Sequence, residues 1–201
     1  MTYSADFIEK HRDINSRYGW WDSVYDDFHR ICEILGIDLA KREPSFSGFW
    51  SQGDGASWAG AYHSEIPKYN TDPIRYYETA PAAIREYAPK DEELHRIADE
   101  LCLLGRVYGP HVAWVERNGH HYVHDKTMYV NEIHPVYYED EARWGDDVYL
   151  HIEEQMQELF RDLARWLYGC LEAEYDYLMS DEAVIDTLGA NEIEEETDVV
   201  D

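Results

Sequence analysis

Five histidines fall within one short stretch of the chain: His111, His120, His121, His124 and His134. Imidazole is the commonest metal ligand and the side chain best placed for acid–base work near neutral pH. A metal centre is therefore the first chemistry to consider. If residues 120–133 form a strand, His120 and His124 share one face and His121 points to the other. His111 could lie opposite one of them, and Asp125 or Glu132 could add a carboxylate. Yet the chain has neither HExxH nor a CxxC pair, the spacings by which zinc sites usually declare themselves. The favoured reading is polar histidines on a wet strand, with no metal and no cofactor. A metal-dependent enzyme built on this hairpin stands as the second alternative.

Other catalytic patterns are weaker still. No serine or cysteine sits in a nucleophile elbow such as GxSxG. Among 43 Asp and Glu residues, no single carboxylate pair can be picked out by spacing. Gly53-Asp54-Gly55 is neither GxGxxG nor a P-loop. It reads as a tight turn whose glycines take positive φ, with Asp54 at the tip. Glu154, Glu158 and Asp162 recur every four residues and so share one helix face, about 6 Å apart along the axis. That rise is on the scale of phosphate spacing along a nucleic-acid strand.

The elements that must carry these residues follow from periodicity. Trp21, Val24, Phe28, Ile31, Cys32 and Leu35 give a helix over about Trp20–Leu35, closed by Gly36. Ser45–Trp50 and Ala56–His63 read as strands of an aromatic hairpin around Gly53-Asp54-Gly55. A short helix over Pro81–Tyr87 would place proline at its first position. Asp91–Leu104 is a second clear helix, ended by Gly105. His111–Glu116 and His120–Ile133 form a second hairpin around Arg117-Asn118-Gly119. The longest helix covers Val148–Leu178. The expected fold is α+β: an antiparallel sheet of two aromatic hairpins packed against three or more helices, the C-terminal one long. Residues 1–191 read as a single domain and 192–201 as an acidic, disordered tail.

The charge bounds the partners. Forty-three acids against 17 Lys and Arg give a formal net charge of -26. Such a surface repels nucleic acid and anionic membranes and attracts basic protein surfaces. Three scattered cysteines make no disulfide framework. The first residues contain no apolar signal segment, and no stretch approaches a membrane-spanning length. The expected setting is the cytoplasm of a bacterial cell. The expected partner is a basic host or defence protein, with no direct nucleic acid and no membrane; a homodimer is compatible with the same surface.

Three passages carry a family resemblance. They are Phe46-Ser47-Gly48-Phe49-Trp50-Ser51-Gln52-Gly53-Asp54-Gly55-Ala56-Ser57-Trp58, the His120–Val130 strand, and Leu171–Leu178 continuing to Ser180–Ala183. Together they resemble a poorly characterised group of phage and bacterial mobile-element proteins, some labelled antitoxin-like. The chain departs from that group at its acidic ending, Glu194-Glu195-Glu196. The resemblance brings no catalytic residues. It implies a setting in which small acidic proteins bind and block host proteins. The expected function is a non-enzymatic, acidic phage-type inhibitor of a nucleic-acid-binding defence protein such as a restriction or CRISPR factor, acting by nucleic-acid mimicry. The expected contact residues are Glu154, Glu158 and Asp162, with Asp54 and Trp58 at the hairpin. An antitoxin-like partner that masks one cognate protein is the alternative, and predicts a specific apolar patch.

Overall fold

The structure, a computed structural model, describes residues 3–66, 74–118, 123–137 and 144–195. The elements in chain order are α1 (Ala5–Lys10), α2 (Asp22–Leu35), β1 (Ile37–Leu39), β2 (Ser45–Phe46), β3 (Ala56–Ser57), β4 (Gly60–His63), β5 (Glu65–Ile66), β6 (Ile74–Arg75), α3 (Tyr76–Tyr87), α4 (Glu92–Tyr108), β7 (His111–Arg117), β8 (Met128–Pro135), α5 (Asp146–Leu178) and α6 (Asp181–Ala190). The fold is α+β, as its sequence pattern requires. The chain falls into two compact units. One is built from its two ends, Met1–Val24 with Gly169–Asp201, and the other from Tyr25–Tyr168. Among the described residues no helix is long and apolar enough to cross a membrane.

In the terminal unit, Ser4 caps α1 and Ser180 caps α6, each hydroxyl accepting a backbone N–H of the first turn. Ile8, Val184 and Leu188 form a small core beneath Phe7, Ile14 and Ile193. Arg12 donates to the Met179 carbonyl at 3.0 Å and pairs with Asp181. The expected disordered tail does not start at residue 192. The Tyr3 hydroxyl donates to the Ile193 carbonyl, and the Ser4 N–H donates to Glu195 Oε2 at 2.8 Å. Apolar cover for Ile193 and these two bonds tie residues 192–195 down; residues 196–201 lie outside the described set.

The larger unit is organised by an antiparallel four-stranded sheet in the order β1-β4-β7-β8. β7 shows the period of two that a one-sided sheet requires. His111, Ala113 and Val115 are buried, while Val112, Trp114 and Glu116 point the other way. A bulge between Trp114 and Val115 shifts the β7–β8 register by one residue. The buried face packs through Tyr62 and Trp58 on Phe160 of α5, with ring centroids 5.7 and 5.2 Å apart. α4 lies antiparallel beside α5. Trp166 Nε1 donates to Asp91 at the start of α4, and the Trp144 indole donates to the Tyr108 carbonyl at its end.

Three local expectations change. Gly105 does not stop α4 but sits inside it, buried, where a Cβ would overlap the ring of Tyr77. The helix ends instead at Gly109, at φ 81°. Pro81 lies mid-helix, because α3 already begins at Tyr76. β8 starts only at Met128, so β7 and β8 are joined by a long connection rather than a tight turn. Gly119, His120 and His121 of that connection lie outside the described residues.

Candidate functional site

The Phe46–Trp58 segment is a short two-stranded ladder closed by an irregular loop. Phe46 pairs with Ala56, and the Ser47 N–H donates to the Gly55 carbonyl. Gly48 and Gly53 take positive φ (111° and 95°), and so does Trp50 at 69°. Asp54 closes the turn: its Oδ2 accepts the Ser51 N–H at 2.7 Å while its own N–H donates to the Ser51 carbonyl. The Ser47 hydroxyl bridges to Val123, and the Tyr168 hydroxyl donates to the Gly48 carbonyl. The distinctive residues of this segment thus build and anchor a loop. Gly55 has no positive φ; a Cβ there would collide with the Cβ of His124 and lie 2.9 Å from its Cα. Gly55→Val is therefore expected to cost about 2–3 kcal/mol through overpacking. A thermal melt superimposable on the parent's would contradict that close approach.

Trp58 was expected at a partner surface and is instead fully buried. Its indole N–H donates to the Phe160 carbonyl at 3.3 Å. The tryptophan this loop presents to solvent is Trp50, 74% exposed.

The described histidines of the β7–β8 hairpin do not converge. His111 is fully buried and paired in register with Pro135, whereas His134 stands opposite Val112 on the other face. The His111 Nδ1–H reaches the Gly109 carbonyl at 2.8 Å, and burial pushes its pKa down to about 4. His124 caps a 3₁₀ turn over Asp125–Thr127, its Nδ1 accepting the Lys126 N–H. Asp125 is spoken for by Arg165. Burial opposes its ionisation, but the hydrogen bond and charge of Arg165, with the His124 ring close by, outweigh that and hold its carboxyl below the usual range. Among the described residues no group of three or more His, Cys, Asp or Glu side chains is placed to hold a metal ion.

The α5 acids do share a face, but not as a row of bare charges. Arg165 bridges Glu158, Asp162 and Asp125, and Arg96 of α4 bridges Glu93, Glu100 and Asp162. The Asp162 side chain keeps only 17% of its exposure beneath these two guanidinium groups. Both arginines are held more firmly protonated than usual. Glu154 and Glu158 are exposed, and of the three only Glu154 makes no ion pair among the described residues. Asp162 thus tethers α5 to α4 and does not present a free charge. Arg96 is the tether's other end, 66 residues away in sequence, and no local pattern could have announced it.

Between these helices runs a groove of about 270 Å³. Leu104 and Leu159 line it, and Arg96, Glu100, Glu158 and Asp162 border it. Leu103 stands on its rim, 58% exposed, and Val107 follows one turn later at 61%. The four-residue spacing puts both on one face of α4. Leu150 is exposed likewise on α5, one turn before Glu154. This face combines what the sequence reading separated: an apolar strip and an acidic border. The densest charge lies elsewhere, in Gly169–Asp201, which carries 12 acids and no Lys or Arg.

Neither the curated proteins nor the solved structures give a match to this chain. A protein-family model does match, over residues 20–181, a span that takes in the Phe46–Trp58 loop and the whole α4–α5 face. The chain therefore belongs to the family described as Domain of unknown function (DUF8835).

Proposed function

We propose that this protein works by binding another protein, as a non-enzymatic acidic inhibitor whose target is a basic, nucleic-acid-binding protein of the cell that houses it. The observation that carries the reading is the exposed Leu103–Val107 strip beside a groove bordered by Glu100 and Glu158, with Glu154 beyond. A monomer gains nothing by leaving two adjacent large aliphatics in water, each worth about 1.5–3 kcal/mol when buried. The fitting occupant is a basic amphipathic helix. Its apolar side chains would cover Leu103 and Val107, and its lysines or arginines would meet Glu154, Glu158 and Glu100. The net charge of -26 supplies long-range attraction to such a target and repulsion from nucleic acid itself. Charge of this sign on a target's nucleic-acid groove would act by competition, in keeping with the phage and mobile-element resemblance.

The same strip favours a second reading, an antitoxin-like partner that masks one cognate protein chiefly through apolar contact. Salt separates the two. The immobilised protein is expected to retain a nucleic-acid-binding protein from bacterial lysate, with affinity falling steeply between roughly 0.05 M and 0.5 M salt. The retained protein's own DNA or RNA is expected to displace it. Leu103→Ser with Val107→Ser is expected to weaken retention about ten- to a hundred-fold, the range of truncated interface anchors. Retention indifferent to salt but lost in the double variant would select the masking reading. Retention unchanged by both would remove this face from the function.

A further inference from the structure

We infer that the open face of the four-stranded sheet carries a second, independent site, for a small organic cation with a flat apolar body. Two cross-strand rows define it. In the first, β4, β7 and β8 bring His63, Val112 and His134 side by side. In the second, β1, β4, β7 and β8 align Asp38, Ala61, Trp114 and Glu132. Strands are spaced about 4.8 Å apart, so the two histidines stand about 10 Å from one another with Val112 between them. That gap matches the width of a single ring.

Each histidine has its own carboxyl partner. His63 Nε2 lies 3.5 Å from Asp38 Oδ2, and His134 Nε2 lies 2.6 Å from Glu132 Oε1. Trp114 turns its ring towards His134, with centroids 5.9 Å apart, and is 38% exposed. His63, Val112, Trp114 and His134, with Asp38, Pro135 and Val136, line an open cavity of about 460 Å³, a size that suits a small ligand. Glu65 lines it as well. Its side chain is wholly buried. The Tyr137 hydroxyl donates to Oε1, but Oε2 has no hydrogen-bond partner and only Arg75 Nε at 3.7 Å. A buried carboxyl oxygen left in that state departs from the usual full pairing, and a cationic ligand beside it would offset that by charge.

The charges select the ligand's sign. Asp38 and Glu65 line the cavity, Glu132 stands behind His134 as its carboxyl partner, and Arg75 offsets Glu65. An indole face beside carboxylates attracts a cation, above all a quaternary or aryl-substituted ammonium. The two imidazoles would flank the ring edge-on over Val112.

Benzyltrimethylammonium chloride is the probe, followed by NMR of the protein labelled at the tryptophan indole and histidine ring positions. Benzyl alcohol and sodium benzenesulfonate at matched ionic strength serve as neutral and anionic controls. The cation is expected to shift the Trp114, His63 and His134 signals saturably and the controls to leave them in place. Trp114→Ala is expected to abolish the response. Trp114→Phe should retain it with affinity reduced about five-fold, since phenyl is the weaker cation receptor. Glu132→Gln with Asp38→Asn should weaken it further while leaving the sheet intact. No saturable shift, an equal response to the neutral or anionic probe, or undiminished binding in Trp114→Ala would overturn the proposal. None of these outcomes bears on the α4–α5 face, whose test uses different residues.

Discussion

Trp58→Ala is expected to lower the free energy of unfolding by about 4 kcal/mol, the range for truncating a buried aromatic. The side chain is fully buried, stacks edge-on against Phe160 at 5.2 Å and donates its indole N–H to that residue's carbonyl. Truncation removes the transfer free energy of the ring and leaves a cavity between sheet and helix. It also deletes a buried donor together with its bond, while the Phe160 carbonyl keeps its place in the helix ladder. Trp58→Phe keeps most of the ring packing and loses the hydrogen bond, so it is expected to cost about half as much. Urea unfolding followed by far-ultraviolet circular dichroism measures both. A loss under about 1 kcal/mol for the alanine variant would return Trp58 to the surface role its sequence position suggested.

Period-two alternation tells inside from outside only while a strand is regular. The Phe46–Trp58 segment keeps only two residues of ladder on each side and then bends through three positive-φ residues. The phase is lost in the bend, and Trp50 rather than Trp58 emerges exposed. Gly105 failed for a similar reason. A glycine after an apolar helical run is ordinarily read as a stop, but here its missing Cβ makes room for Tyr77 of a different helix. Close approach between elements distant in sequence leaves no local mark. By contrast, α2 and the long helix were legible at once, because Phe28, Ile31, Cys32 and Leu35, and then Met156, Leu159, Phe160, Leu163 and Leu167, are buried at the spacing that revealed them.

The candidate sites divide along the same line. The Glu154–Glu158–Asp162 spacing correctly placed three acids on one face. It could not show that Arg96 and Arg165 occupy that face as well, nor that Leu103 and Val107 border it. His134 was visible as a hairpin histidine, but its relation to His63 is a matter of strand order. β4 pairs with β7, not with its sequence neighbour β3, and only that pairing sets the two histidines on either side of Val112. Alternation within β7 would have marked Trp114 as outward-facing had the strand's buried face been known.

Acid is expected to unfold this protein through His111. The imidazole is buried against the rings of Tyr62 and Trp144, at 5.7 and 6.1 Å, with one N–H satisfied by the Gly109 carbonyl and Nε2 unpartnered. Charging it there would place a cation among apolar rings, so burial lowers its pKa from 6.5 to about 4. The unfolded chain takes up this proton near pH 6.5, and the folded chain only near pH 4. Between those values the unfolded state binds more protons, so stability falls as pH falls, by about 1.4 kcal/mol for each pH step. At pH 4.5 the accumulated loss is about 2.5 kcal/mol; above pH 6.5 the contribution vanishes. Carboxylate protonation relieves the self-repulsion of a chain at -26 but takes stability from paired acids such as Asp125. Both effects are common to parent and variant and cancel in their difference. His111→Phe fills the same space without a titrating group. Urea unfolding at pH 7 and at pH 4.5 should show the parent losing about 2.5 kcal/mol more than the variant. Ring signals of His111 should stay those of the neutral form through pH 5. An equal loss in both proteins, or a His111 signal that titrates near pH 6.5 in the folded state, would mean that this imidazole is not sealed from water.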